Sequence, residues 1–386
     1  MALRPSRRSS IAPFIVMDVM RAATARDRAV ADPADRTVHL EIGQPGGAAP
    51  GPVLDAAARA LRSDRLGYTD AFGLPELRAQ ISARYRAAYG VDVAPERIVV
   101  TTGSSGAFVL GFLAAFDVGA RVALADPGYP AYRNILSALG VEVVGLPTGA
   151  QDRYQPTIER LEAAGRLDGL IVASPANPTG TMLPAGELAA LAAWCRSRGV
   201  RLVSDEIYHG IVYGPPATTL AGDGDAIVVN SFSKYFAMTG WRLGWMVVPP
   251  DLLRAVEVLA QNLFISPPSL PQHAALAAFG CGAELDARVA GYRANRDLLL
   301  AELPKAGFSE FAPADGAFYL YCDVGRLTND SAAFCRQMLD QAGVAATPGT
   351  DFDPGRGNRF VRFSFAGGRA DMELAVSRLQ RWRAGR

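Results

Sequence analysis

The sequence between residues 98 and 248 alternates short apolar runs with segments of helical length and pattern. Alternation of this kind favours successive β-α-β units, which build a mostly parallel sheet covered by helices. The predicted strands span residues 98–101, 121–125, 142–145, 169–173, 200–204, 226–230 and 244–248. Because ligands of parallel sheets gather beyond the carboxyl ends of the strands, we expect a binding site in the loops that follow them.

Beyond about residue 283 the pattern changes to a long charged helix followed by short strands and further helices. Such a mixture is typical of an α+β domain. A chain of 386 residues also exceeds the usual length of one domain. We therefore predict an α/β protein with an N-terminal arm at 1–45 that packs with the small domain, a large sheet-containing domain at 46–282, and a small C-terminal domain at 283–386.

Composition excludes several classes of function. Apolar residues make up 49% of the chain and charged residues 20%, as in a soluble globular protein, and the net charge of +1 offers no surface for nucleic acid or a membrane. The four cysteines lack metal-ligand spacing, so we expect no metal and buried free thiols. Near the start, Arg7 and Arg8 superficially resemble an export signal, but Asp18 and Arg21 interrupt the apolar run. A cytoplasmic protein is expected.

Lysine is rare in this chain, which contains only Lys234 and Lys305 among 39 lysines and arginines. An amine can lose its proton and form a Schiff base with a carbonyl group, whereas a guanidinium stays charged and is a poor nucleophile. Lys234 lies among hydroxyl and apolar residues at 231–245, so we predict a role in covalent catalysis. Lys305 is interpreted as an ordinary surface lysine.

Polar residues also follow the other predicted strands. A glycine- and serine-rich turn with Ser104 and Ser105 runs into a helix, where free amides and the helix dipole suit a phosphate. Asn177 lies between two prolines in a loop that we expect to be rigid, with cis peptides as one option. The remaining candidates in these loops are Tyr129, Asp205, Tyr208, Ser231, Ser233 and Arg242.

Together these loops offer an amine, an aromatic plate, a carboxylate, two neutral hydrogen-bonding groups and an anion site. These are the partners that the aldehyde, ring face, ring nitrogen, phenolate and phosphate of pyridoxal phosphate require. The ordered motifs, which extend over almost the whole chain, resemble those of class I/II aminotransferases, the aspartate-aminotransferase-like enzymes of fold type I. The resemblance implies an enzyme that transfers an amino group between an L-amino acid and a 2-oxo acid by a ping-pong mechanism.

The resemblance also implies a role for each candidate residue. Lys234 corresponds to the lysine of the internal aldimine, Asp205 to the carboxylate on the ring nitrogen, and Tyr208 with Asn177 to the pair on the ring oxygen. The implied catalytic residues are Lys234, Asp205 and Tyr208. Around the cofactor the resemblance further places Tyr129 on the ring, and Ser104, Ser105, Ser231, Ser233 and Arg242 near the phosphate. In such a family Tyr68 reaches the phosphate of the neighbouring subunit, which implies a homodimer with shared active sites.

Substrate recognition is less clear from the sequence. The resemblance assigns the substrate α-carboxylate to Arg362, with Gly43 and Asn177 beside it, while Arg359 on the same predicted strand stays open as an alternative. Where relatives specific for dicarboxylates carry an arginine, this chain has the segment 261–264 without one, which argues modestly against a strict aspartate enzyme. Aspartate stays open as a substrate, because other branches of the family bind the second carboxylate elsewhere. A possible apolar pocket draws on Phe14, Ile15, Tyr68, Phe72 and Phe264, although core or interface packing is the simpler interpretation of each.

Two other functions remain open at this stage. A lyase, decarboxylase or oxidase on the same scaffold would share the cofactor residues and would form product without a 2-oxo acid acceptor. A non-enzymatic effector-sensing module of a transcription regulator would need an attached DNA-binding segment, for which the residues before Gly43 offer little room.

Overall fold

The computed structural model describes residues 3–385. Its helices are α1 (Ile15–Ala29), α2 (Gly51–Ser63), α3 (Pro75–Tyr89), α4 (Gly103–Ala115), α5 (Pro130–Leu139), α6 (Ile158–Ala163), α7 (Ala185–Arg198), α8 (Leu253–Leu263), α9 (Ser269–Ala278), α10 (Gly282–Glu302), α11 (Ser331–Gln337) and α12 (Arg369–Ala384). Its strands are β1 (Val38–His39), β2 (Ile98–Thr101), β3 (Arg121–Asp126), β4 (Glu142–Pro147), β5 (Gly169–Ala173), β6 (Arg201–Asp205), β7 (Ile227–Ser231), β8 (Gly244–Val247), β9 (Glu310–Phe311), β10 (Tyr319–Asp323), β11 (Val344–Ala345), β12 (Thr347–Pro348) and β13 (Phe360–Ser364).

A seven-stranded sheet forms the centre of the molecule, with the order β2-β8-β7-β6-β5-β3-β4. The pairs from β7 to β4 are parallel, whereas β8 runs antiparallel to both of its neighbours. Strands β2, β7 and β8 are buried along their whole length, which explains why they consist almost entirely of apolar residues. The prediction of an α/β fold with a mostly parallel sheet is confirmed.

The C-terminal part contains a four-stranded antiparallel sheet with the order β12-β13-β10-β9. The N-terminal segment joins it, since β1 pairs with β11 and the amide of Ser364 donates to the carbonyl oxygen of Leu40 at 2.6 Å. This arrangement brings Gly43, which follows β1, toward Arg362 on β13. The predicted domain boundaries at 45/46 and 282/283 stay predictions.

The sequence placed the start of α4 too late. The pattern predicts Ser104 and Ser105 in a turn that leads into the helix, but α4 begins at Gly103, so that both serines belong to its first turn. Serine and glycine are weak helix formers, which hides the start of this helix from propensity alone. The amides of Ser104 and Ser105 therefore lie at the N-terminal end of the helix, where they have no hydrogen-bond partner within it.

Helix α1 lies largely on the surface, and Ala23 is its one buried residue. The helix also lacks a side-chain hydrogen bond at its N-cap residue, Phe14. All four cysteines are buried and free, as the sequence suggested. Within residues 3–385, no helix is both long and apolar enough to cross a bilayer.

Candidate active site

A cavity of about 430 Å³ opens at the carboxyl edge of the central sheet. This volume lies in the range of small-molecule binding sites. Most of the residues predicted from the sequence line it, namely Gly43, Ser104, Ser105, Tyr129, Asn177, Asp205, Tyr208, Ser233, Lys234, Arg242 and Arg362. The expected convergence of the strand-following loops is therefore present in the structure.

Lys234 follows β7 and reaches into this cavity. Its Nζ donates a hydrogen bond to the carbonyl oxygen of Gly43 at 2.6 Å and lies 5.7 Å from the ring centroid of Tyr208. Burial, together with the positive charges of Arg362 and Arg242, lowers the pKa of Lys234 from 10.5 to about 8. An appreciable fraction of the amine is therefore neutral, and nucleophilic, near physiological pH.

We expect the two lysines of the cofactor-free protein to differ in reactivity toward an acylating reagent. Lys234 should acylate with a pH midpoint near 8, because acylation requires the neutral amine, whose pKa is about 8. Mass spectrometry of peptides labelled across a pH series measures this midpoint directly. Lys305, an exposed residue whose Nζ bonds both carboxylate oxygens of Glu302 at 2.7 Å, serves as the internal comparison. A midpoint for Lys234 near 10.5 would contradict the electrostatics described above.

Asp205, at the end of β6, is 3% exposed and lies deep in the cavity. Its carboxylate accepts hydrogen bonds from the hydroxyl of Tyr132 and from the amide of Ile207, the latter at 3.0 Å. Burial raises the pKa of Asp205 to about 6, since a charge is poorly solvated there. A cationic group beside the carboxylate would offset that cost, which makes Asp205 suited to hold a protonated ring nitrogen.

An anion-binding pocket is formed at the N-terminus of α4. The N-cap residue Thr102 makes no side-chain hydrogen bond, so it leaves the first-turn amides of Ser104 and Ser105 uncapped. Gly103 has a φ of 69°, and a Cβ there would clash with the Nη2 atom of Arg242. Glycine thus permits the guanidinium to approach the helix end. Amides, a helix dipole and an arginine together match a phosphate.

Asn177 and Tyr129 lie on two loops that are shaped by proline. The peptide bonds before Pro127, Pro175 and Pro178 are cis, including both bonds that flank the Asn177 loop. The Oδ1 atom of Asn177 accepts a hydrogen bond from Arg362 at 2.9 Å. Tyr129 lines the cavity and packs edge-on against the ring of Phe14, with centroids 5.8 Å apart.

Arg362 projects from β13 and is only 3% exposed. Its Nη2 atom donates to the carbonyl oxygen of Glu41 at 2.6 Å and to the hydroxyl of Thr347 at 3.2 Å, whereas its buried Nε has no partner among the described residues. A buried, unpaired N–H group is costly unless a ligand binds it. Arg362 is therefore equipped to bind a carboxylate that enters the cavity.

Arg359, the alternative carboxylate ligand, lies outside the cavity. It precedes β13, its side chain is 53% exposed, and it forms an ion pair with Asp323 at 2.7 Å. Of the two arginines, Arg362 is the one that the fold brings to the site.

Ser231 and Tyr68 do not line the cavity. The Oγ atom of Ser231 donates to the Oγ atom of Ser233 at 2.9 Å and accepts from the amide of Ser233 at 3.0 Å, so Ser231 shapes the loop behind the cavity wall. Tyr68 lies between α2 and α3 with its side chain 83% exposed. Of the suggested apolar pocket residues, Phe14 lines the cavity, while Phe72 and Phe264 pack against the core.

Sequence reasoning missed Tyr319, on β10. Its hydroxyl lies 2.7 Å from the hydroxyl of Tyr208, and the guanidinium of Arg362 lies 4.4 Å from its ring centroid. A side chain at Gly43 would clash with this hydroxyl. Tyr319 therefore links the tyrosine expected at the ring oxygen with the arginine expected at the substrate carboxylate. Nothing in its strand-like surroundings distinguishes it from a core tyrosine.

The residues of this cavity fit pyridoxal phosphate. The uncapped N-terminus of α4 and Arg242 would bind the phosphate, and Lys234 would bond to the aldehyde. Asp205 would bind the ring nitrogen, and Tyr208 would donate a hydrogen bond to the ring oxygen. The partner-free Nε of Arg362 adds a place for a substrate carboxylate. Fold and site together define a fold type I enzyme that depends on pyridoxal phosphate and acts on amino acids.

Comparison with known proteins identifies the family. The model for aminotransferase class I and II matches residues 35–379. Over 385 residues, 98% of each chain, the sequence is 54% identical to a valine–pyruvate aminotransferase of Mycobacterium tuberculosis. A crystal structure of an aminotransferase from M. tuberculosis is similar over 100% of both chains, with a TM-score of 0.97 and 53% identity. A crystal structure from Silicibacter pomeroyi also covers 100% of both chains, with a TM-score of 0.92 and 50% identity.

The chain belongs to the class I and II aminotransferases. It is a pyridoxal-phosphate-dependent enzyme that transfers an amino group between an amino acid and a 2-oxo acid.

Proposed function

We propose that this aminotransferase uses valine, or a similarly branched apolar amino acid, as donor and pyruvate as acceptor. The observation that carries the proposal is an apolar wall in the same cavity as Lys234 and Arg362. The wall is formed by Phe14, Val16, Met17, Met20 and Ile42. The 54% identity to a valine–pyruvate aminotransferase supports the same substrate pair.

The charges of the cavity also favour an apolar side chain. Among the described residues that line it, the cations are Lys234, Arg242 and Arg362. If Lys234 and Arg242 serve the cofactor and Arg362 the α-carboxylate, no lining cation is left for a second carboxylate. Burial of an unpaired carboxylate against the apolar wall would be unfavourable, and aspartate should therefore be a poor donor.

Each side chain has a defined task in the proposed mechanism. When bound, pyridoxal phosphate supplies an aldehyde that joins the substrate amine and a ring that delocalises the charge left after loss of the α-proton. Arg362 holds the substrate α-carboxylate and thereby orients the Cα–H bond. Asp205 would keep the ring nitrogen protonated, while Tyr208 and Asn177 would hold the ring oxygen.

Lys234 moves the proton in this scheme. Its pKa of about 8 leaves part of the amine neutral near physiological pH, so Lys234 would be able to take the proton from the substrate Cα and to hold it for the return transfer. Its bond to the carbonyl oxygen of Gly43 shows that Nζ can reach the side of the cavity where Arg362 lies. The reverse sequence with a 2-oxo acid regenerates the starting enzyme, as a ping-pong mechanism requires.

A panel of amino acids tests the proposed substrate. We expect the cofactor absorbance of the purified holoenzyme to change at least about tenfold more efficiently with valine than with aspartate, because only valine matches the apolar wall. Stopped-flow absorbance under single-turnover conditions gives the efficiency for each amino acid. A higher efficiency for aspartate would contradict the proposed donor. Product that forms over many turnovers without a 2-oxo acid would instead favour a lyase, decarboxylase or oxidase, because a ping-pong aminotransferase stops after one turnover when its acceptor is missing.

We also propose a homodimer with shared active sites. Exposed apolar side chains lie on the Tyr68 loop and around the C-terminal end of α8. There Leu263, the last residue of the helix, is 50% exposed and Ile265, just beyond it, is 54% exposed. The two segments are neighbours, since the hydroxyl of Ser269 donates to the carbonyl oxygen of Gly67 at 2.5 Å. Sedimentation equilibrium tests this proposal. A single species of 40.9 kDa would contradict it.

The proposed location is the cytoplasm. Four buried free thiols are consistent with a reducing compartment. Fractionation of cells that express the native chain tests the location, and recovery of the activity outside the cytoplasmic fraction would contradict it.

A further inference from the structure

Asp351, in the turn after β12, holds the N-terminus of α1 across the molecule. Its Oδ1 atom accepts a hydrogen bond from the amide of Ile15 at 3.0 Å, and its Oδ2 atom accepts one from the amide of Val16 at 3.2 Å. The side chain of Asp351 is 3% exposed. The first amides of a helix have no partner within it, and Phe14 provides no side-chain cap. The distant carboxylate therefore performs the capping that the helix itself lacks.

The position of α1 depends strongly on such contacts. Only Ala23 of this helix is buried, yet Val16, Met17 and Met20 belong to the apolar wall of the cavity. At the far end of α1, Asp27 binds the ring of His39 at 2.9 Å. At the near end, the other described contacts include a 3.3 Å hydrogen bond from Asn134 to the carbonyl oxygen of Ala12 and the edge-on packing of Phe14 against Tyr129, neither of which holds an amide of the helix.

The turn that carries Asp351 also contacts the carboxylate-binding arginine. The guanidinium of Arg362 lies 4.7 Å from the ring centroid of Phe352. Arg133, on α5, fixes the turn with hydrogen bonds to the carbonyl oxygens of Asp351 at 2.5 Å and Phe352 at 3.2 Å. One rigid turn thus lies between the residue that binds the α-carboxylate and the helix that presents the apolar wall.

We propose that Asp351 is a positioning residue for substrate specificity. By holding the amides of Ile15 and Val16, it fixes the separation between Arg362 and the apolar wall on α1, and so sets the side-chain size that the enzyme accepts. The inference rests on the proposed preference for valine. Loss of the carboxylate should lower kcat/KM for a substrate in proportion to the contact of its side chain with α1. We therefore expect kcat/KM to fall for valine and to stay unchanged for alanine.

The variant Asp351→Asn tests this selectivity in the holoenzyme. We expect the ratio of kcat/KM for valine to that for alanine to fall about fivefold, mainly through a higher KM for valine. The asparagine side chain can accept a hydrogen bond from only one of the two amides and turns its NH2 group toward the other, which weakens the hold on α1 by an amount of that order. A purely structural role would instead lower kcat/KM for both amino acids by the same factor. That outcome would overturn the proposal.

Two further variants separate capping from general damage. Ile15→Pro removes one of the two amides without altering Asp351, and proline is well tolerated at the first position of a helix. We therefore expect the ratio of kcat/KM for valine to that for alanine to fall by about half as much, on a logarithmic scale, as in Asp351→Asn. Asp353→Asn is the matched control. Asp353 is equally buried but binds the amides of Gly355 and Arg356 within its own loop, so its loss should leave the ratio unchanged. The proposal would be overturned if Ile15→Pro kept the valine-to-alanine ratio of the parent enzyme. It would also be overturned if Asp353→Asn lowered that ratio as much as Asp351→Asn does.

Limited proteolysis gives a readout that does not depend on activity. Arg21 on α1 has a side chain 74% exposed, and trypsin can cut there when the helix opens locally. We expect cleavage of the holoenzyme after Arg21 to be about fivefold faster in Asp351→Asn and unchanged in Asp353→Asn. If the parent enzyme prefers valine over alanine but Asp351→Asn keeps the parental ratio and cleavage rate, the role of Asp351 alone is wrong. A parent without that preference overturns the proposed donor and the specificity role, and the cleavage rates then decide whether Asp351 holds α1.

Discussion

The replacement Lys234→Ala is expected to lower the rate of transamination by at least about 10⁴-fold, which makes it the most damaging single change in the site. Lys234 combines two tasks that no other described residue of the cavity can perform, because it is the only amine there. In the proposed mechanism it would hold the cofactor before the substrate binds, and it would then take up the α-proton of the substrate. Steady-state assays with valine and pyruvate measure the loss.

The control for this experiment is Lys305→Ala. Lys305 is the second lysine of the chain; its amine is paired with Glu302 on the surface, and it does not line the cavity. The activity of that variant should stay within about twofold of the parent, since exposed ion pairs contribute little. If Lys234→Ala retained more than about 1% of the parental rate, another group would have to move the proton, and the assignment would be wrong.

The second large effect is expected for Arg362→Lys, which should lower kcat/KM about 10²-fold or more for valine and for pyruvate alike. Both substrates carry the carboxylate that this arginine is proposed to bind, and a lysine cannot reproduce its planar donors. A single ammonium group in place of the guanidinium also cannot keep all the hydrogen bonds to Asn177, Glu41 and Thr347. Assays at saturating cofactor measure the loss, and an unchanged cofactor spectrum shows that the cofactor site is intact.

Arg359→Lys is the matched control for Arg362→Lys. Arg359 lies three residues earlier but faces solvent in its ion pair with Asp323. Its replacement should leave kcat/KM unchanged. A loss at position 359 as large as that at position 362 would mean that the wrong arginine has been assigned. The uniform loss expected at Arg362 also contrasts with the side-chain-dependent loss expected at Asp351.

Much of the fold and the cofactor site could be predicted because the signals are local. Each strand of the central sheet is a short, mostly apolar run, and Asn177, Asp205 and Lys234 each lie at or shortly after the end of such a run. Lys234 stood out because only two of the 39 lysines and arginines are lysines. The carboxyl ends of parallel strands meet at one edge, so knowledge of the strands was enough to group Asn177, Asp205 and Lys234.

Other parts of the site depend on contacts between distant segments, which no local pattern reveals. Tyr319 looks like any buried strand residue until β10 places its hydroxyl beside that of Tyr208. Asp351 and Asp353 are two acids in one turn, and only the approach of α1 distinguishes the first from the second. The position of Ser231 behind Ser233 likewise follows from the hydrogen bonds between the two residues, which fold the loop back on itself. Substrate recognition lies mostly in this second group, which is why the sequence said least about it.

Attachment of the cofactor to Lys234 is the central claim, and peptide mapping after borohydride reduction tests it most directly. Reduction of the purified holoenzyme makes the bond between cofactor and lysine permanent, and mass spectrometry of its peptides then locates the added mass. Because the chain has only two lysines, the experiment has a simple outcome. We predict the added mass on the peptide that contains Lys234 and none on the peptide that contains Lys305. Label on Lys305, or a reduced holoenzyme without any covalent label, would contradict the proposed active site.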